Sequence, residues 1–284
     1  MILFLILLLA VFQCTITQYL VENPDYYQLG AYTCESEDFR SMRLGELIAG
    51  GKELDFDMLT TLMIQNDYDL RELKSTDYSS RLLYARRPAD YRKLKQAYET
   101  VLGDLKYFPV PKSGDPSVPD VQYGEGWMDK RIYKSGEKAD SGKLDGDGRE
   151  NKGRGHEGCD IMGAREPRGY YPVVSMSDGV VEKVGWLELG GWRLGIRSPR
   201  GAYLYYAHLY GYSRQWQEGD TVKAGDLLGY MGDSGYSKVE GTTGNFDVHL
   251  HVGIYFKTDH FDELSVDPYW ILRYLEKYRF TYRY

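Results

Sequence analysis

The segment Val248-His249-Leu250-His251-Val252-Gly253-Ile254-Tyr255-Phe256 alternates strictly. In an extended strand, residues two apart point to the same face. Val248, Leu250, Val252, Ile254 and Phe256 then share one apolar side. His249 and His251 share the other, with Gly253 and Tyr255. Such a strand must cover a hydrophobic layer and present two imidazoles opposite it. That requirement favours a β-domain with a chemical face over any helical arrangement.

The rest of the second half extends this pattern. Tyr171-Pro-Val-Val-Ser175, Gly179 to Gly185, Trp192 to Arg197, Ala202 to Ala207 and Val248 to Phe256 read as short strands. Asp178-Gly179, Pro199-Arg-Gly201, Gly219-Asp220 and Gly232-Asp233 punctuate them. Glycine (32) and tyrosine (27) are abundant, which suits short strands joined by tight turns. The expected fold class is therefore a mainly β domain, a small antiparallel or barrel-like sheet. An α-helical region precedes it and a C-terminal helix follows. That last helix starts at Asp267-Pro268, with Asp267 as cap and Pro268 in the first turn, and runs through Leu275 to about Tyr278.

The first half reads as helical from about residue 36 to 106. Leu44, Leu47 and Ile48 recur at helical spacing, as do Met58, Leu59, Leu62 and Met63. From Pro88 the spacing predicts a helix to Leu105, with Tyr91, Leu94, Tyr98, Val101, Leu102 and Leu105 on one face. Residues 107–122 carry Pro109, Pro111, Pro116 and Pro119 and read as a stiff, extended connector. Residues 134–155 are polar and glycine-rich and read as a long exposed loop. The organisation expected is thus residues 1–19 as a signal peptide or membrane anchor, 20–120 as a helical region, 121–155 as linker and exposed loop, and 156–284 as the β-domain with its terminal helix.

Residues 1–12 are an unbroken apolar run, matching the core of a secretory signal in length and position. No basic residue precedes Arg40, so the usual positive flank is missing. An extracytoplasmic protein, secreted or tethered through this segment, is expected. The net charge of −7 offers no basic stripe for phosphates and argues against nucleic acid as a partner.

Histidine is scarce, five in 284 residues, yet four fall in three short segments: His156 to Asp160, Tyr206-Ala-His208-Leu209 and His249-Leu-His251. Extended backbone puts His156, Gly158 and Asp160 on one face and turns Cys159 and Ile161 away, so Cys159 reads as core. Two histidines and one aspartate form a borderline-to-hard donor set suited to zinc. With no evident fourth protein ligand, the pattern is that of a hydrolytic site. The remaining histidines could then act on a reacting carbonyl. His260 lacks such context and reads as a loop residue.

Taken in order, His156-x-Gly158-x-Asp160, Pro172-Val173, Asp178-Gly179-Val180-Val181, Tyr206-x-His208-Leu209, Glu218-Gly-Asp-x-Val222-x-x-Gly225-x-x-Leu228-Gly229 and His249-Leu250-His251 resemble the lysostaphin/LytM-type zinc metallopeptidases, the M23 family. The likeness covers about residues 153–256. It implies a β-domain with a groove, one Zn2+ and endopeptidase activity on bacterial cell-wall peptidoglycan. It also implies that His156, Asp160 and His251 are the metal ligands. His208 and His249 would be the catalytic pair, one of them the general base and both helping to stabilise the oxyanion.

The chain departs from the family pattern in carrying Phe246-Asp247-Val248 where a small turn usually precedes His-x-His, and in a long loop from Asp233 to Asp247. Tyr170, Tyr171, Trp186, Trp192, Tyr205 and Tyr236 lie near the motifs and could line a substrate groove, although strand packing suits most of them better. Some relatives act instead as non-catalytic zinc-binding regulators or scaffolds at the cell envelope, usually after losing ligands; all five residues are present here. The stretch Glu218 to Gly229 also looks like half a biotinyl or lipoyl carrier hairpin. It lacks the attachment lysine between apolar residues, so it reads as turns around short strands.

Overall fold

The computed structural model describes every residue except 52, 79–85, 125, 130–154 and 165–166. The expected loop at 134–155 thus lies outside the described residues but for Gly155. The chain forms two compact units, Met1–Gly103 and Asp104–Tyr284.

The first unit is helical. Its leading helix, Ile2–Glu22, is 21 residues long and buries none of them. It runs on past the apolar stretch read from the sequence, to Glu22, and within it the Thr15 hydroxyl donates to the Val11 carbonyl at 2.8 Å. By length and composition it could cross a membrane, which needs roughly 20 residues. Asp55 caps the helix Phe56–Gln65, its carboxylate accepting from the Asp57 and Met58 amides. The helix Pro88–Leu102 starts on proline as expected and buries Tyr91, Leu94, Tyr98, Val101 and Leu102. It stops three residues short of the expected end; Leu105 instead bridges to Ser177 in the second unit. Leu47 is likewise 40 % exposed, although Leu44 and Ile48 are buried.

The second unit is built on an antiparallel sheet. Its strands are β2 (Gln122–Tyr123), β3 (Cys159–Met162), β4 (Pro172–Val174), β5 (Gly179–Leu187), β6 (Gly191–Arg197), β7 (Tyr203–Tyr212), β8 (Thr221–Val222), β9 (Leu227–Met231), β10 (His249–Phe256) and β11 (Leu264–Val266). The path is β2-β3-β10-β7-β6-β5-β8; β11 pairs with β10, and β9 with both β7 and β4. β10 is therefore central, between β3 and β7. Its Leu250, Val252, Ile254 and Phe256 are buried, each worth about 1.5–3 kcal/mol relative to exposure. On β7, Tyr206 is fully buried and its hydroxyl accepts the Met176 amide at 2.9 Å.

Segments expected as connectors and turns are integrated into this unit. Phe108 and Val110 are buried, and Pro109 accepts from the Val174 amide at 2.8 Å. A short strand β1 (Lys112–Ser113) then pairs in parallel with β12 (Thr281–Tyr282). The carrier-like stretch forms β8 and β9 around Gly225, whose φ of +88° suits glycine. The terminal helix is Tyr269–Leu275, continued by a tighter turn to Tyr278. It begins one residue later than expected: Pro268 is the cap position, and Asp267 accepts the Tyr269 amide at 2.9 Å.

Candidate metal centre

Register across three strands assembles the site. β3 and β10 pair antiparallel with Asp160 opposite His251 and Met162 opposite His249. Directly opposed side chains share a face and sit close. His251 Nδ1 lies 2.8 Å from Asp160 Oδ1 and 2.8 Å from His156 Nε2, and His156 Nε2 is 3.1 Å from the same oxygen. These three donors lie within 4.8 Å of one another, and all three residues are buried. His249 Nε2 stands beside them, 3.7 Å from Asp160 Oδ2, buried and without a hydrogen-bond partner.

Close packing makes the cluster possible. A Cβ at position 158 would come 2.5 Å from His251 Cε1 and 2.6 Å from the Val252 carbonyl oxygen. Only glycine lets the His156 segment lie this near β10. Cys159, on the next residue, pairs with Val252 and is buried away from the donors. Its burial pushes the thiol well above its usual pKa, so it stays protonated.

Backbone carbonyls set the tautomers. A carbonyl only accepts, so a ring nitrogen bonded to one carries the proton. His156 Nδ1–H donates to Gly126 at 2.8 Å, His249 Nδ1–H to Asp247 at 2.7 Å and His208 Nδ1–H to Ser234 at 2.8 Å. In each ring Nε2 is therefore the basic nitrogen. In His156 it faces the cluster; His251 meets the cluster through Nδ1 instead.

His208 enters by an irregularity. Ala207 lies opposite His251, so regular alternation would turn His208 to the core face with Tyr206. A bulge in the β6–β7 pairing spans this point, and His208 has φ +61°. The reversal brings its ring to 4.7 Å from that of His249 and 5.9 Å from that of His251. A left-handed non-glycine residue costs on the order of 1–3 kcal/mol, the kind of strain that collects at functional sites. Phe246 and Tyr236 brace the ring at centroid distances of 4.7 and 5.9 Å.

Electrostatics separate the groups. Burial pushes Asp160 up, but the close contacts of His156 and His251 outweigh it and hold the carboxyl well below the usual carboxylate range. Burial, then repulsion from His249 and His251, holds the His208 imidazole well below its ordinary value, so it is neutral at physiological pH. An ionised carboxylate and two oriented imidazole nitrogens converge on one point. This donor set fits a zinc ion, with the Gly126 bond supplying the outer support a ligand histidine needs.

The site opens into a cleft of about 460 Å³ lined by His156, His208 and His251, with Arg193, Tyr203 and Tyr205 among its walls. Of the aromatic residues noted near the motifs, Tyr205 and Tyr236 line it. Tyr171 is core, and Trp186 and Trp192 pack on each other at 5.5 Å. Strand alternation already sets Tyr255 on the face of the two imidazoles, and it lines the cleft; sequence reasoning does not reach Arg193 or the three backbone acceptors. A carbonyl leaves no mark in residue type, and Arg193 falls in no motif.

Residues 154–263 match the model of peptidase family M23. The L-Ala–D-Glu endopeptidase of Bacillus subtilis is 44 % identical over 194 residues, 68 % of this chain and 50 % of that protein. The chain thus spans about half the length of this curated relative. A crystal structure of a candidate glycyl-glycine endopeptidase lytM from Ruminococcus gnavus is 39 % identical, covers 92 % of this chain and 98 % of that one, and superposes with a TM-score of 0.72.

Proposed function

This chain belongs to peptidase family M23, and from that membership we propose that it is a zinc metalloendopeptidase hydrolysing peptide bonds of bacterial cell-wall peptidoglycan. The observation that carries the reading is the buried His156–Asp160–His251 cluster with His249 Nε2 unpaired beside it. His156 through Nε2, Asp160 through Oδ1 and His251 through Nδ1 would hold the ion. When bound, zinc supplies Lewis acidity toward a carbonyl and acidifies water.

The other residues position and move protons. His249 accepts a proton at Nε2, because Nδ1 is committed to the Asp247 carbonyl. His208 also presents a basic Nε2 and is kept neutral by burial and by its neighbours. Burial, then repulsion from the neighbouring rings, disfavours the charged form of His208. An imidazolium formed in the pair stabilises negative charge on the carbonyl oxygen and returns its proton to the departing amine. Asp160, ionised and buried, keeps His156 and His251 oriented.

The relatives are named for different bonds. An L-Ala–D-Glu bond places a carboxylate on the residue past the cut; a Gly-Gly bond carries no side chain. Both belong to peptidoglycan peptides. The apolar N-terminal helix supports action outside the cytoplasm, with the helix as signal or tether, the helical unit running to Gly103 and the catalytic residues in the unit from Asp104. The regulator alternative has no support in the site, which keeps His208 and His249 beside the cluster. Digestion of purified peptidoglycan by the wild type and by His249→Ala, with products identified by mass, tests the proposal. New amine termini from the wild type and none from the variant are expected; equal digestion by both would refute it.

A further inference from the structure

One cationic side chain in the cleft is left unused by the fold. Arg193 stands on β6 opposite Gly185 of β5, and it lines the cleft with His208, Tyr203 and Tyr205. The Tyr212 hydroxyl donates to its backbone carbonyl at 2.9 Å, which anchors the point from which the side chain leaves. Its Nη1 is buried and has no hydrogen-bond partner. No carboxylate of the described residues forms an ion pair with it.

Arg197, two residues along the same strand, shows the ordinary alternative. Its Nε and Nη2 bond the two Glu182 oxygens at 2.6 and 2.7 Å, and Glu263 lies at 3.6 Å. A buried guanidinium nitrogen without an acceptor is costly unless something outside the chain supplies one. A guanidinium fork matches a carboxylate in shape and charge.

The surroundings sharpen this. Glu157, Glu188 and Glu263 line the same cleft, where Arg193 is the one Lys or Arg among the lining residues described. A substrate carboxylate is repelled along most of the cleft and accepted at one place. That combination of attraction and repulsion fixes the register of a peptide.

We propose that Arg193 is a specificity-determining residue that binds a substrate carboxylate, so that the enzyme prefers a peptide with an acidic residue adjoining the scissile bond, of the D-glutamyl class, over an oligoglycine bridge. This rests on the peptidase reading of the cleft. Arg193 binds through paired N–H···O bonds and takes no part in the bond cleavage itself.

The test uses the full chain and three synthetic peptides: one with L-Ala–D-Glu and its free carboxylate, the same peptide with that carboxylate as carboxamide, and pentaglycine. Wild type should cleave the carboxylate peptide with a kcat/KM at least about tenfold above the carboxamide, mainly through KM, as expected for one charge-assisted contact. In R193Q that ratio should fall to about one; R193K, which keeps the charge without the fork, should lie between. Thermal melts of both variants report folding separately.

A ratio unchanged in R193Q, or a wild-type preference for pentaglycine, would overturn the proposal. Calorimetric binding of the first two peptides to metal-free protein separates it from the peptidase reading. If wild type cuts nothing yet binds the carboxylate peptide more tightly, and R193Q loses that margin, the peptidase reading fails and the Arg193 assignment stands. Equal binding of both peptides sinks the assignment.

Discussion

Asp160 and His251 face each other directly across the β3–β10 pair, with Asp160 Oδ1 2.8 Å from His251 Nδ1. Antiparallel register alone brings them together, and His156, four residues before Asp160, completes the triangle. Register is fixed by the buried Leu250–Phe256 side of β10, since a slip of one residue would turn every histidine inward. The same apolar pattern that builds the core therefore aligns the donors.

Replacing Asp160 by alanine should weaken zinc binding at least about 100-fold, because loss of a mere outer partner already costs 10–100-fold. Chelator competition measures it. In wild type, zinc at 100 times its dissociation constant should add about 2.7 kcal/mol of stability; in D160A the same zinc concentration should add about 0.4 kcal/mol or less. Equal zinc affinity in the two proteins would exclude Asp160 as a ligand.

Gly158→Ala tests the close approach at His251. The added Cβ meets His251 and the Val252 carbonyl, both held within the sheet. Overpacking of this kind costs about 1–3 kcal/mol. Denaturant unfolding should show that loss, and zinc affinity should fall with it. A variant as stable as wild type with full zinc affinity would contradict the geometry.

The φ of +61° at His208 makes a comparison of two variants informative. H208A retains a Cβ in the left-handed region; H208G does not. H208G should be more stable than H208A by about 1 kcal/mol, the reverse of the usual glycine penalty. Both should lose cleavage. Equal or inverted stabilities would mean that the bulge is absent in solution.

Tyr206→Phe probes the core next to the site. Its hydroxyl accepts the buried Met176 amide, which the variant leaves unsatisfied. A loss of about 1–3 kcal/mol in unfolding free energy is expected, with zinc affinity within about twofold of wild type, because this hydroxyl bonds the Met176 amide and is not one of the His156, Asp160 and His251 ligand atoms. A matching drop in zinc affinity would show that the core and the cluster are coupled.

Legibility in the sequence followed the regularity of the backbone. The alternation along β10 and the extended run from His156 to Asp160 could be read residue by residue, and the same rule turned Cys159 into the core. His208 could not be placed this way: alternation assigns it to the face of Tyr206, and a bulge with a left-handed residue reverses that. Helix periodicity marked the buried face of Pro88–Leu102 but not its end, because Leu105 continues the spacing while Gly103 stops the helix. Prolines suggested a stiff, extended connector at 107–122, yet Phe108 and Val110 between them are buried in the second unit. The carbonyls of Gly126, Asp247 and Ser234, which orient three imidazoles, belong to backbone and have no sequence signature.

The most direct test of the central claim is anomalous diffraction at the zinc edge on crystals of the full chain grown with zinc. The account predicts a single strong peak about 2.0–2.2 Å from His156 Nε2, Asp160 Oδ1 and His251 Nδ1, with His208 and His249 outside bonding distance. A peak bound by His249 or His208, or no peak at this cluster, would contradict it.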